Sequence, residues 1–266
     1  GDGDDTIVLY GGNSKAYGEA GNDTLTSNVG DLYGGDGDDI LNINNNGNTH
    51  HGGSGNDIFN INSSYSRIYG EDGDDIFNII KGGNNMIDGG AGTNTVTGTV
   101  GSNTTINVVG ANSGSVSLTK GVEQIVNING KNYTMSTTLS SDEVIYKLDS
   151  SGQITFSSSS SSTDTIIKGD VNKKHNVVVR GVTFYGGNQG DTILANANNT
   201  IVYCGNGSNK ITITQGLCYG GAGNNEVSMN NYTRYYGGSG VNNITVSGRY
   251  NYIESGAASM NVILKG

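Results

Sequence analysis

The sequence predicts an all-β chain, a parallel β-roll or β-solenoid with coils of about 18 residues, interrupted by a β-rich middle region. Three observations predict it. A glycine-rich motif returns at a nearly fixed interval, a short run alternating apolar and polar residues follows each copy, and the composition suits only a thin core. Glycine supplies 45 of the 266 residues, proline and tryptophan none, and the apolar fraction is 33%. So few apolar residues cannot fill a thick globular core, but they suffice where each coil donates a few side chains to a stacked ladder.

The repeat is read directly. "YGEAGNDTL" begins at Tyr17, "YGGDGDDIL" at Tyr33, "HGGSGNDIF" at His51 and "YGEDGDDIF" at Tyr69, in steps of 16, 18 and 18 residues. The opening "GDGDDTIVL" is the tail of an earlier copy, and "DGGAGTNTV" from Asp88 is a degraded one. Copies return at Tyr185, Tyr203, Tyr219 and Tyr236. Such periodicity marks a solenoid whose units cannot bury an apolar face alone.

Each element of a coil has its own signal. Two residues past the acidic or amide position stand Ile7, Leu25, Leu41, Phe59, Phe77 and Val96, then Ile193, Ile211, Val227 and Ile244. Leu9, Ile43, Ile61 and Ile79 follow two residues later, and this period of two marks a strand with one face inward. A third row, Leu32, Ile68, Met86, Phe184 and Val202, precedes the turn on the return strand. The organisation expected is a β-roll over 1–97, a β-rich insert or irregular solenoid over 98–184, and a degenerate Asn-rich roll over 185–266. Within the middle, "TTINVVG", "VEQIVNING" and "HNVVVRGVTF" read as strands, and the serine run 157–162 as flexible or loosely paired.

The loops carry the chemistry. "GGDGDDILN" (Gly34 to Asn42) and "GGSGNDIFN" (Gly52 to Asn60) fit the nonapeptide GGxGxDxUx, where U is a large apolar residue, and so resemble the RTX (repeats-in-toxin) family of hemolysin-type calcium-binding repeats. The resemblance implies a turn of six residues, a strand of three, and Ca2+ between successive turns. It assigns the ligand row to Asp5, Asp23, Asp39, Asp57 and Asp75, with loop positions Gly21, Gly35, Gly37, Gly53, Gly55 and Gly73 adding carbonyl oxygens. Calcium takes six to eight oxygen ligands, and glycines let a loop aim several carbonyls at one point. Five successive loops make four inter-loop gaps. Glu19 and Glu71 replace the second glycine of their loops, which puts the turn in question there while offering two more carboxylates. At the fifth motif position the order Asp4, Asn22, Asp38, Asn56, Asp74 alternates, which reads as a spacing of non-ligating charge. The late copies carry Asp191, then Asn209, Asn225 and Asn242 at the sixth position, so that roll is expected to be largely metal-free, with Asp191 an open case.

Composition bounds the partners. A formal net charge of -10 repels nucleic-acid backbone and anionic surfaces and makes cations the natural counterpart. No stretch has the length and apolarity of a membrane span. His50, His51 and His175 fit no zinc spacing, no GxSxG elbow occurs, and no enzyme activity is expected. Cys204 and Cys218 flank one coil and read as two buried thiols rather than a disulfide. The tyrosines before each turn read as cover for the roll edge, with a sugar-binding stripe as the alternative. The chain begins inside a motif, as a piece of a longer protein would.

By resemblance, RTX proteins leave Gram-negative bacteria by type I secretion and fold outside the cell on calcium. The role expected is a structural segment of a secreted, extracellular protein of the bacterial cell surface, of adhesin or surface-layer type, with neighbouring copies of itself or a surface polysaccharide as further partners. The alternatives are the C-terminal secretion region of a toxin, protease or lipase and, ranked lower, an ice-binding adhesin. The last needs a flat row of Thr where the third loop position reads Asp2, Ala20, Asp36, Ser54, Asp72.

Overall fold

The computed structural model describes residues 1–98, 105–109, 111–256 and 259–265, and among these the chain forms 27 strands and no helix. It is a β-solenoid divided into two compact units, Gly1–Leu118 with Val122–Gly130, and Thr119–Gly121 with Lys131–Gly266.

In the first unit each coil contributes one strand to each of two parallel files. One file runs Thr6–Leu9, Thr24–Ser27, Ile40–Ile43, Ile58–Asn62, Ile76–Lys81 and Asn94–Gly98. The other runs Lys15–Ala20, Asp31–Asp36, Thr49–Ser54, Arg67–Asp72, Met86–Asp88, Thr105–Val109 and Gln124–Ile128. Of the strand read as "TTINVVG", Thr104 and Gly110 lie outside the described residues.

The alternation of the sequence sets which face goes inward, because successive strand residues point to opposite sides. Leu25, Leu41, Phe59 and Phe77 are fully buried in one ladder and Ile43 and Ile61 in the next, and Phe59 stacks on Phe77 at 4.7 Å. Each such side chain contributes about 1.5–3 kcal/mol by leaving water. The opposite wall is Ala16, Leu32, His50, Ile68 and Ile87. Met86 does not belong to this row: the coil before it is one residue longer, so Met86 pairs with Arg67 and Ile87 takes the place beneath Ile68. His50 is fully buried in the apolar wall, with Nδ1 accepting from the Leu32 amide at 3.3 Å and Nε2 unpartnered. Burial holds its ring neutral, with its pKa lowered to about 4.

The second unit opens with a reversal. Lys131–Thr137 runs antiparallel to Thr165–Gly169, and Ser141–Leu148 antiparallel to Ile154–Ser158. The turn between the last two is tied by Asp149, whose Oδ1 accepts from the Ser151 amide, the Ser151 hydroxyl and the Gln153 amide. On its other edge Ile154–Ser158 starts a parallel file that runs through Asn176–Arg180, Thr192–Tyr203, Lys210–Tyr219, Asn225–Met229 and Asn242–Ser247.

The serine run is ordered, contrary to the expectation of a loose stretch. Ser157 and Ser158 lie in a paired strand, and the Ser158 and Ser159 hydroxyls and the Ser160 amide all donate to the Asp142 carboxylate, at 2.6, 2.8 and 3.1 Å. Thr165 adds a short hydrogen bond. Cys204 and Cys218 are buried free thiols with their Sγ atoms 3.2 Å apart.

Candidate metal centre

The loops between the files are built on close backbone approach. Gly35 and Gly37 have φ of 122° and 130°, and a Cβ there would fall 2.0 Å from the Glu19 carbonyl oxygen and 2.2 Å from that of Gly21. Any other residue would separate the coils. Glu19 and Glu71 nevertheless keep the turn, with φ of 78° and 75°. The Glu71 carboxylate lies 2.8 Å from His51 Nδ1, and that of Glu19 3.6 Å from the Gly1 amine, so both side chains meet partners other than the aspartate row.

That row forms a continuous column. The Asp5 amide donates to Asp23 Oδ1 at 2.6 Å, Asp23 to Asp39 at 2.7 Å, Asp39 to Asp57 at 2.8 Å and Asp57 to Asp75 at 2.9 Å. Asp75 donates in turn to Asn94 Oδ1 at 2.8 Å, which makes the degraded copy a sixth member. In each carboxylate Oδ1 thus ties its loop to the coil before.

Oδ2 is the unusual atom. In Asp23, Asp39, Asp57 and Asp75 it is buried and unpartnered. Buried polar atoms are nearly always hydrogen-bonded, so four successive exceptions in register call for a missing partner. Burial raises Asp39 to about 6, Asp57 to about 7 and Asp75 to about 6; for Asp57 the charges of Asp75 and Asp39 push the same way. A cation fits this need. The atoms on offer are carboxylate and loop carbonyl oxygens, the donor set of a hard ion with flexible coordination such as calcium. Asp5, at the start of the column, has its carboxylate 3.2 Å from the Gly1 amine.

A second ladder was not legible as such in the sequence. The fifth-position side chains are acceptors: Asp4 Oδ1 receives the Asn22 amide at 2.8 Å, Asn22 that of Asp38 at 2.8 Å, Asp38 that of Asn56 at 2.7 Å, and Asn56 that of Asp74 at 2.9 Å. Asp and Asn serve equally because only Oδ1 is used. The signal available was that the position never departs from these two residues over five loops.

The second unit has a column of its own, His175, Asp191, Asn209, Asn225 and Asn242, all buried. Its chemistry differs. Asp191 Oδ1 accepts from the His175 amide at 2.8 Å and lies 3.2 Å from His175 Nδ1, while Oδ2 accepts from the Gly187 amide at 3.2 Å, so neither oxygen is left over. The asparagines turn Nδ2 toward the loops: Asn209 donates to the Gly207 carbonyl at 2.6 Å, Asn225 to Gly220 and Gly223 at 2.9 Å, and Asn242 to Gly240 at 2.9 Å. An amide supplies the positive end that a carboxylate lacks.

The tyrosines before the turns stack face to face. Tyr17, Tyr33, His51 and Tyr69 follow at 4.8, 5.0 and 4.9 Å, and Tyr185, Tyr203, Tyr219 and Tyr236 at 4.5, 4.7 and 5.1 Å, with planes within 16°. Within each run a ring covers its neighbour's face, so the interior of the ladder offers ring edges.

Stacked glycine-aspartate loops with a column of cation-seeking carboxylates define a calcium-binding β-roll. Residues 1–31, 51–78 and 81–104 match the RTX calcium-binding nonapeptide repeat, and this block of the chain belongs to that family. No curated protein and no solved structure matches the chain.

Proposed function

We propose that the chain is a calcium-dependent structural segment of a secreted bacterial cell-surface protein, of adhesin or surface-layer type, and that it performs no catalysis. The repeats imply a calcium-binding β-roll of the kind found in type I-secreted proteins. In this reading Asp23, Asp39, Asp57 and Asp75 hold Ca2+ through the Oδ2 atoms that lack protein partners, with carbonyls of the loop glycines Gly21, Gly35, Gly37, Gly53, Gly55 and Gly73 completing the shell. The ion supplies positive charge between stacked carboxylates, so its binding free energy becomes folding free energy.

The observation that carries the reading is the run of four buried, orphaned carboxylate oxygens in consecutive coils. The surface role rests on the build of the rest. The buried carboxylates Asp142 and Asp191 are consumed by hydrogen bonds, and the second column spends its amides on closing its own loops and on linking Asn209 to Asn225 and Asn225 to Asn242. Ice binding finds less support, since the outward file beside Ile40, Ile58 and Ile76 is an amide ladder in which Asn60 donates to Asn42 at 2.9 Å and Asn78 to Asn60 at 3.2 Å. The test is far-UV circular dichroism during titration with EGTA. The β signal is expected to fall as calcium is stripped and to return on adding CaCl2; a signal unchanged in excess EGTA would refute calcium-coupled folding.

A further inference from the structure

Two notches, one in each unit, repeat one arrangement outside the calcium loops. The turns before many of the return strands hold a residue with left-handed φ one or two positions ahead of the strand. In most coils this is Gly or Asn: Gly47, Asn84, Gly181 and Asn199 have φ of 77°, 53°, 60° and 59°. At Tyr65, Tyr232 and Tyr250 it is tyrosine, with φ of 61°, 58° and 61°. A bulky side chain is uncommon there and holds a strained backbone, an outlier of the kind that clusters at binding sites.

At Tyr65 and Tyr232 an arginine follows two residues on, in "YSR" (Tyr65 to Arg67) and "YTR" (Tyr232 to Arg234), whereas Tyr250 is followed by Asn251 and Tyr252. Tyr65 and Tyr232 are exposed, by 67% and 61%. Tyr65 and Arg67 line a notch of about 570 Å3 together with Asn84 and Asn127, and Tyr232 and Arg234 line one of about 610 Å3 together with Asn198 and Asn199. These volumes are in the range of small-molecule sites, about 300–1,000 Å3.

At the second notch the strand pairing shifts register between Asn196 and Ile201, opposite the segment from Gln215 to Leu217, where Gly216 has φ of 121°. Tyr232 stacks on Tyr250 of the following coil at 5.0 Å, with planes 14° apart. On the side of the preceding coil Gly216 and Leu217 share the notch lining with it. Among the described residues no second ring stacks on Tyr232, and it is 61% exposed.

Among the described residues no carboxylate lines either notch, although the chain carries 24 acidic against 14 basic residues, and two of its four arginines stand there. An aromatic face packs the apolar side of a sugar ring, amides bond its hydroxyls, and a guanidinium pairs with a carboxylate in a fork. We propose that the Tyr-x-Arg notches at Tyr65/Arg67 and Tyr232/Arg234 bind uronic-acid units of an acidic glycan, one per notch. The proposal extends the polysaccharide partner of the surface reading, and is tested with the calcium-loaded chain so that the two can fail separately.

The experiment is calorimetric and saturation-transfer titration of the full chain in CaCl2 with cellotriuronate and, as the neutral match, cellotriose. Two equivalents of cellotriuronate are expected to bind, with cellotriose weaker by about tenfold or more, the loss of one charge-assisted bond. Tyr232→Asn should remove one of the two equivalents, and Tyr65→Asn with Tyr232→Asn both. Asparagine is the safe replacement because Asn84 and Asn199 occupy the same turn position, and circular dichroism with and without EGTA shows whether the calcium-dependent fold is intact. Arg67→Gln with Arg234→Gln should bring the two sugars to similar affinity. Absence of saturation transfer from cellotriuronate, equal affinity of both sugars for the unaltered chain, or full binding by the correctly folded double tyrosine variant would each overturn the proposal.

Discussion

At the scale of single residues, one atom separates the two columns. Asp57 and Asn225 occupy the same motif position and are equally buried, yet Asp57 leaves Oδ2 unpartnered while Asn225 donates Nδ2 to Gly220, Gly223 and Asn242. Leaving a buried acceptor unsatisfied costs about 1–3 kcal/mol, more when it is charged. Asp57→Asn should therefore remove calcium while relieving the calcium-free fold. We expect equilibrium dialysis to show at least one ion fewer per chain, with the calcium-free β signal of the variant surviving to higher temperature by several degrees; undiminished calcium stoichiometry would rule out Asp57 as a ligand. The ligand row was legible before any coordinates because its spacing and residue type repeat. The fifth-position ladder was not, since the same Asp/Asn alternation is explained equally well by charge spacing until the amide-to-Oδ1 distances are known. Met86 shows the other limit: one extra residue in a coil shifts the register, and a motif that names only the turn does not say where the extra residue goes.

At the scale of elements, the serine run demonstrates why composition misleads. Six serines in succession suggest a flexible or loosely paired stretch, but a strand needs only inward groups that are satisfied, and Asp142 satisfies Ser158 from the facing strand. Burial pushes the Asp142 carboxyl up, but hydrogen bonds from Ser158, Thr165 and Ser159 outweigh it and hold it at about 2. A folded-state pKa below the ordinary carboxylate value means that the stabilisation is present above about pH 4 and is lost as pH falls through about 2. Its size is about 2 kcal/mol. Asp142→Asn should lower stability by that order near neutral pH in thermal melts with calcium present and leave calcium stoichiometry alone. An unaltered melting temperature would mean that the polar cluster contributes nothing to holding the antiparallel opening of the second unit.

At the scale of the whole molecule, the two units answer differently to the same ion. The first has four orphaned carboxylate oxygens and the second none at the equivalent positions among the described residues, so removal of calcium should open one and spare the other. Acid adds a sign that separates charge repulsion from generic denaturation. Asp39, Asp57 and Asp75 have folded-state pKa values raised to about 6, 7 and 6, so the calcium-free first unit is most stable below about pH 4 and loses that stability as pH rises through 6 to 7. His50 opposes this, since its pKa lowered to about 4 withdraws stability as pH falls below the ordinary histidine value, but it is one group against three. Hydrogen exchange in EGTA at pH 7.5 should thus show rapid exchange over the strands between Thr6 and Gly98 and protection over those between Asn176 and Ser247. Acidifying the same EGTA sample to about pH 5 should restore protection to the first set, whereas with calcium present the same step should weaken it, because protons and Ca2+ compete for one carboxylate column. Uniform exchange in both units, or a calcium-free first unit that loosens further on mild acidification, would contradict a column held apart by its own charge.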